Sequence, residues 1–161
     1  MPRDTEVDNL LRQGFRYAFS LTHAQPEAED LVHDAWVKLL AAGSPRNIPL
    51  LFRTIRTLFI DRYRHQTALH LEPLADYHGA TRPKDKKRAA FAATREQVDK
   101  GLATLRVEER EALFLNAVEG YTAREIAKLV DRPRGTVLSL IHRAKQKMRR
   151  YFTDAADEVT P

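Results

Sequence analysis

The 161-residue chain has no cysteine, one tryptophan and two methionines. Without cysteine there is no disulfide framework and no thiolate metal site. No apolar run approaches the ~18 residues of a membrane-spanning helix. The first residues, "MPRDTEVDNLL", are too polar for a signal peptide, so the expectation is a soluble, cytoplasmic protein without membrane insertion. Nor is there a P-loop or a G-x-G-x-x-G, and Ser, His and Asp fall into no catalytic motif. His65 and His70 make no metal-ligand pattern with a third ligand. These absences argue against an enzyme, and with it against a small-molecule substrate, a cofactor or a metal.

What is present is charge, unevenly spread. Lys and Arg number 27 against 22 Asp and Glu, a net charge of +5. That suits a polyanionic partner, but the distribution says more. Residues 26–34, "PEAEDLVHD", carry four acids and no Lys or Arg. Residues 132–150, "RPRGTVLSLIHRAKQKMRR", carry seven Lys or Arg and no acid. A chain polarised in this way can meet an acidic partner with one part and a basic partner with another.

Hydrophobic periodicity predicts an all-α protein. In the first 66 residues, Val7, Leu10, Leu11, Phe15, Ala18, Phe19 and Thr22 define one stripe, with Thr5 and Asp8 resembling a capping pair. A second helix starts at Pro26, buries Leu31, Ala35, Leu39 and Trp36, and stops near Gly43. A third runs from about Ile48 to His65, with Leu51, Phe52, Ile55, Leu58 and Phe59 inward. Residues 67–93 have no sustained period and read as a linker, in which the basic cluster 82–88 is solvated tether. Helices near 95–104 and 107–118 follow. The expected organisation is two small helical domains, residues 1–66 and 94–153, with an acidic tail, 154–161, that frays.

Thr122 and Glu125 form a capping box, so a helix starts at Ala123. It ends at Asp131, a residue that tolerates the left-handed backbone of a turn, and a longer helix begins near Pro133. Short helix, turn, long helix is the layout of a helix-turn-helix. At 100° per residue, Val137, Ile141, Ala144 and Met148 cluster as the buried stripe of the second helix. The opposite face shows Ser139, His142, Arg143, Gln146, Arg149 and Arg150, donors suited to base edges and phosphates. Leu138 and Leu140 flank the stripe.

The stretch "EGYTAREIAKLVDRPRGTV…HRAKQKMR" resembles region 4 of bacterial sigma factors of the extracytoplasmic-function group. "AEDLVHDAWVKLL" followed by "LLFRTIRTLFIDRYRHQ" is similar to region 2 of the same group. The resemblance implies a region 2 three-helix bundle and a region 4 helix-turn-helix bundle. It also implies three partners: core RNA polymerase, promoter DNA and an anti-sigma factor. In the family, Asp30, His33 and Asp34 match the residues that dock on the polymerase clamp helices, with His33 where Gln is usual. Arg53, Arg56, Thr57, Arg62, Tyr63 and Arg64 match the segment that melts and reads the −10 element, with Thr57 where Asn is frequent. Arg134, Ser139, His142, Arg143, Gln146 and Arg149 match −35 contacts. Positions 138 and 140, usually basic, are leucine. The pair either weakens phosphate binding or extends an apolar surface toward a partner protein. Two other readings stay open: a sigma-like decoy that binds an anti-sigma factor without DNA, and a stand-alone helix-turn-helix regulator.

Overall fold

The computed structural model describes residues 2–69 and 94–159. Within them the chain is helical throughout: α1 (Pro2–Thr22), α2 (Gln25–Ala41), α3 (Ile48–Leu69), α4 (Arg95–Ala103), α5 (Val107–Ala117), α6 (Ala123–Val130) and α7 (Arg134–Val159). This is the expected all-α class. Most of the proposed linker, with its basic cluster, lies outside the described residues.

Local chemistry sets most of the boundaries. Pro26 opens α2, where a missing N–H costs nothing, and Glu27 faces the positive end of that helix. The Asn47 side chain accepts from the Leu50 N–H at 2.9 Å and caps α3, a role unread in "SPRN". Gly43, at φ 62°, supplies the left-handed backbone after α2. Capping boxes start α4 at Thr94–Gln97 and α6 at Thr122–Glu125.

Three expectations need correction. Helix α1 already begins at Pro2, so Thr5 and Asp8 lie inside its first turns and do not form a capping pair. Helix α3 continues to Leu69, past the start of the proposed linker. Helix α7 continues to Val159, so the acidic end is largely helical. There Met148 and Tyr151 close over Gly101 of α4, and an added Cβ at Gly101 would lie 3.0 Å from the tyrosine ring.

The first three helices bury Ala18, Leu21, Leu31, Ala35, Leu39, Leu51, Phe52 and Ile55 against one another. The last three bury Ala112, Leu115, Ile126, Val130, Val137 and Ile141. These two sets form one continuous cluster, because α1 packs on α5 as well as on α2 and α3. Tyr17 lies at the junction, fully buried, its ring stacked on Phe52 with centroids 4.3 Å apart. The α1 stripe read from the sequence missed Tyr17 because it allowed that helix only one buried face.

The junction also carries charge. The Tyr17 hydroxyl donates to Glu111 Oε1 at 2.5 Å, and Arg56 Nε donates to the same oxygen at 3.0 Å. Burial pushes the Glu111 carboxyl above its ordinary range, and Arg56 and the Tyr17 hydroxyl act against that rise. Next to it, Arg110 Nε donates to Ser20 O at 2.6 Å and Nη2 to Leu21 O at 3.0 Å. Its Nη1 reaches Leu105 O at 3.3 Å. Ser20 and Leu21 belong to the last turn of α1, whose carbonyls have no partner within the helix. A buried guanidinium of the second half therefore caps a helix of the first, with its positive charge at the negative end of the dipole.

Candidate nucleic-acid and polymerase interface

Helix α6 ends on Asp131 at φ 53° and ψ 53°, the left-handed conformation expected of the turn. The Arg132 N–H then bonds back to Ala127 O at 3.1 Å, closing the helix end. Val137, Ile141 and Ala144 of α7 are buried, so its opposite face is turned outward. Ser139, His142, Arg143, Gln146 and Arg149 are all exposed on that face, and Arg134 is exposed at its start. The Ser139 hydroxyl donates to Gly135 O at 3.0 Å, which leaves its oxygen lone pairs outward.

The two leucines separate. Leu138 is 43% exposed, on the rim of the outward face. Leu140 packs against the core and lines a crevice with Ile126, Val137 and Arg56. One leucine replaces a surface position; the other helps fill the space between α3, α6 and α7.

On α3, Arg53, Thr57, Tyr63 and Arg64 are exposed. Tyr63 stacks on Phe59 with centroids 6.2 Å apart, and Phe59 is partly buried while Phe52 is wholly so. Arg62 pairs with Asp34 of α2. Arg56 behaves differently from its neighbours. It is turned inward onto Glu111, and its side chain is 17% exposed. Arg53, Arg56 and Thr57 also line an open cleft of about 390 Å³, opposite Lys128, Leu129 and Asp131. So part of the α3 face matched to the −10 element looks toward α6.

On α2, Asp30, His33 and Asp34 lie exposed along one row at i, i+3 and i+4. Val37 and Leu40 continue that row at 49% and 47% exposure. The sequence reading missed this apolar extension because it considered α2 only for its acids and its buried face. The missed polar residues were Glu109, Arg110 and Glu111 in "VEEREALFL", a helix whose inner face the sequence reading left unassigned. The available signal was periodicity: Glu111 precedes the buried Leu115 by four residues and therefore shares its stripe. Glu109 meets Lys147 of α7 at 2.8 Å.

An outward helix bearing donors, set by a tight left-handed turn and joined to a second helical bundle, defines a helix-turn-helix protein of two modules. Residues 7–68 match the family pattern described as Sigma-70 region 2, and residues 95–148 that described as Sigma-70, region 4. Together the two patterns cover most of the chain, which belongs to the sigma-70 family. It is 29% identical to the ECF RNA polymerase sigma factor SigE of Mycolicibacterium smegmatis, over 94% of this chain and 63% of that protein. It is 28% identical to the ECF RNA polymerase sigma factor EcfG of Rhodopseudomonas palustris, over 90% of this chain and 82% of that one. Its fold is shared with the sigma factor RpoE of Bartonella quintana, solved in complex with the anti-sigma factor NepR. The TM-score there is 0.71 at 23% identity, over 94% of this chain and 97% of that chain.

Proposed function

We propose that this chain is a promoter-specificity factor: it binds core RNA polymerase and directs it to promoters with paired −35 and −10 elements. What supports this reading most is the exposed row Ser139, His142, Arg143, Gln146 and Arg149 on the second helix of a helix-turn-helix, within a chain that matches region 2 and then region 4. In this reading residues 1–66 carry polymerase docking and the −10 contacts, and residues 94–153 carry the −35 contacts. Arg143 is the candidate for bidentate contact with a guanine, and Arg134 and Arg149 for phosphates. Asp30, His33 and Asp34 face the polymerase. Arg53, Thr57, Arg62, Tyr63 and Arg64 bind the opened strand, where cations meet phosphates and an aromatic ring replaces lost base stacking. The protein performs no covalent chemistry; the polymerase does. It acts in the cytoplasm, and an anti-sigma factor covers one or both of its DNA-binding faces.

The test is run-off transcription with purified core polymerase over a pooled promoter library. Transcripts sharing two spaced elements, dependent on this chain, are the expected outcome. The absence of both core binding and transcript would favour the decoy reading. Activity that survives substitution of Asp30 and Asp34 would favour an independent regulator.

A further inference from the structure

Seven Lys or Arg lie between residues 132 and 150, and such a run reads as a row of phosphate contacts. The fold takes one of them out of that row. Lys147 of α7 turns its ammonium inward onto Glu109 of α5, with Nζ donating to Oε1 at 3.0 Å and to Oε2 at 2.8 Å. The Lys147 side chain is 39% exposed, against 3% for the carboxylate it meets. Glu109 is committed a second time, because Oε2 also accepts the Arg106 N–H at 3.1 Å and so caps the start of α5. Arg143, Lys145 and Arg149, by contrast, are exposed. A carboxylate buried this deeply is tolerated only while a cation faces it. Held by the start of its own helix, it cannot follow Lys147, so Lys147 fixes α7 at one rotation against α5. Arg143 lies one turn earlier on the same side of α7, at i−4, and its direction follows that setting. The charge of Lys147 is already matched by the carboxylate, so a nearby phosphate gains little from it.

We propose that Lys147 is a positioning residue for DNA reading: paired with Glu109, it sets the rotation of α7 that aims Arg143, and it makes no phosphate contact of its own. The bearing on DNA rests on the proposed function; the ion pair does not. The two roles differ in what they do to binding. A phosphate ligand adds about 0.9 to the logarithmic salt slope and strengthens every sequence alike. A positioning residue changes the preference for one sequence over another at constant slope.

Holoenzyme reconstituted from core polymerase and the full chain is titrated against two fluorescent duplexes of equal length. One is a promoter recovered from the run-off transcripts; the other is the same promoter with its −35 element scrambled. Lys147→Met keeps the apolar stem and removes the charge. It should lower the preference for the intact element by about tenfold, the scale of one misaligned bidentate contact, with salt slope and scrambled-duplex affinity unchanged. Glu109→Gln, at a site too buried to touch DNA, should lower the preference as well. The double variant should lose no more than the worse single one, because the two residues act as a unit. Lys147→Arg should keep most of the preference. A slope that falls by about 0.9 with equal loss on both duplexes overturns the assignment. A parent preference that survives Lys147→Met also overturns it and leaves the promoter reading intact, whereas a parent with no preference removes both. Should Lys147→Met lose helix by circular dichroism, lysine labelling mapped by mass spectrometry decides without a substitution. In the free chain an amine-reactive reagent should modify Lys145 readily and Lys147 slowly, and promoter duplex added to holoenzyme should leave Lys147 no slower. A Lys147 that reacts freely until the duplex shields it is a phosphate ligand, and the assignment is wrong.

Discussion

Leu138 and Leu140 stand two residues apart on α7, yet the helix turns them into different surroundings, and substitution should tell them apart. Leu138→Lys places a cation on the rim of the exposed face. It should leave stability within about 0.5 kcal/mol, as surface changes usually do. If the new charge meets a phosphate, the logarithmic salt slope of DNA binding should steepen by about 0.9. Fluorescence anisotropy across a salt series reads that slope; an unchanged slope would place residue 138 off the phosphate track. Leu140→Lys forces an ammonium into the crevice beside Arg56 and should cost about 1–3 kcal/mol through lost packing and desolvation. Arg110 shows the same dependence on surroundings. In the sequence it belongs to a run of charges; in the fold it caps α1 and lies 6% exposed. Burial lowers its pKa, but a guanidinium stays charged, so its loss strands carbonyls and removes a cation. Arg110→Ala should destabilise by about 3 kcal/mol, and the melting temperature should fall by roughly 6–12 °C. A drop of less than about 2 °C would show that water replaces the guanidinium without loss.

At the scale of the helix, legibility depended on whether the signal was local. The box at Thr122 and Glu125, the left-handed Asp131 and the start of α7 are set by residues within a few positions of one another, and all were readable. The end of α7 was not, because Tyr151 and Met148 find their support on Gly101, far away in the chain. The capping box carries its own pH dependence. The Thr122 backbone N–H, and after it the Thr122 hydroxyl, hold the Glu125 carboxyl below its usual 4.5. A carboxylate whose pKa is depressed by folding stabilises the helix at pH values above the unfolded value, and that support disappears as pH falls through the lower, folded one. Amide exchange in the first turn of α6 should therefore accelerate relative to the rest of the helix below about pH 4.5. Glu125→Gln, which cannot titrate, should flatten the profile. Identical profiles for the two proteins would assign the change to another group. Thr122→Ala should cost about 1 kcal/mol at neutral pH, the usual value of a helix cap.

For the molecule as a whole, periodicity and charge made the two helical modules and the outward face of α7 readable, since each reports on one element's own surroundings. How the modules meet was hidden. Tyr17, Arg56 and Arg110 are polar or amphipathic residues whose partners in the other module lie 55 to 94 positions away, and no local pattern distinguishes them from solvated ones; for Glu111 the helical period points to burial but not to its partners. The acidic face of α2 presents the opposite case, a charge visible in the sequence whose role must be separated from stability. Asp34 pairs with Arg62, but both side chains are well exposed, and such pairs contribute little to folding. Asp30 has no buried environment to support. Asp30→Asn with Asp34→Asn should therefore leave the melting temperature nearly unchanged. If the row of Asp30, His33 and Asp34 docks on a basic surface of the polymerase, with Val37 and Leu40 as its apolar continuation, the same double substitution should weaken core binding by at least about tenfold, or about 1.4 kcal/mol. The loss should shrink as salt rises, because exposed charges are screened beyond about 8 Å at physiological ionic strength. A parallel Val37→Ser substitution, which removes apolar area and no charge, should weaken binding equally at low and high salt. Should the double substitution leave core affinity intact while the protein remains folded, the acids of α2 would belong to the helix alone, as partners for its positive end and for Arg62.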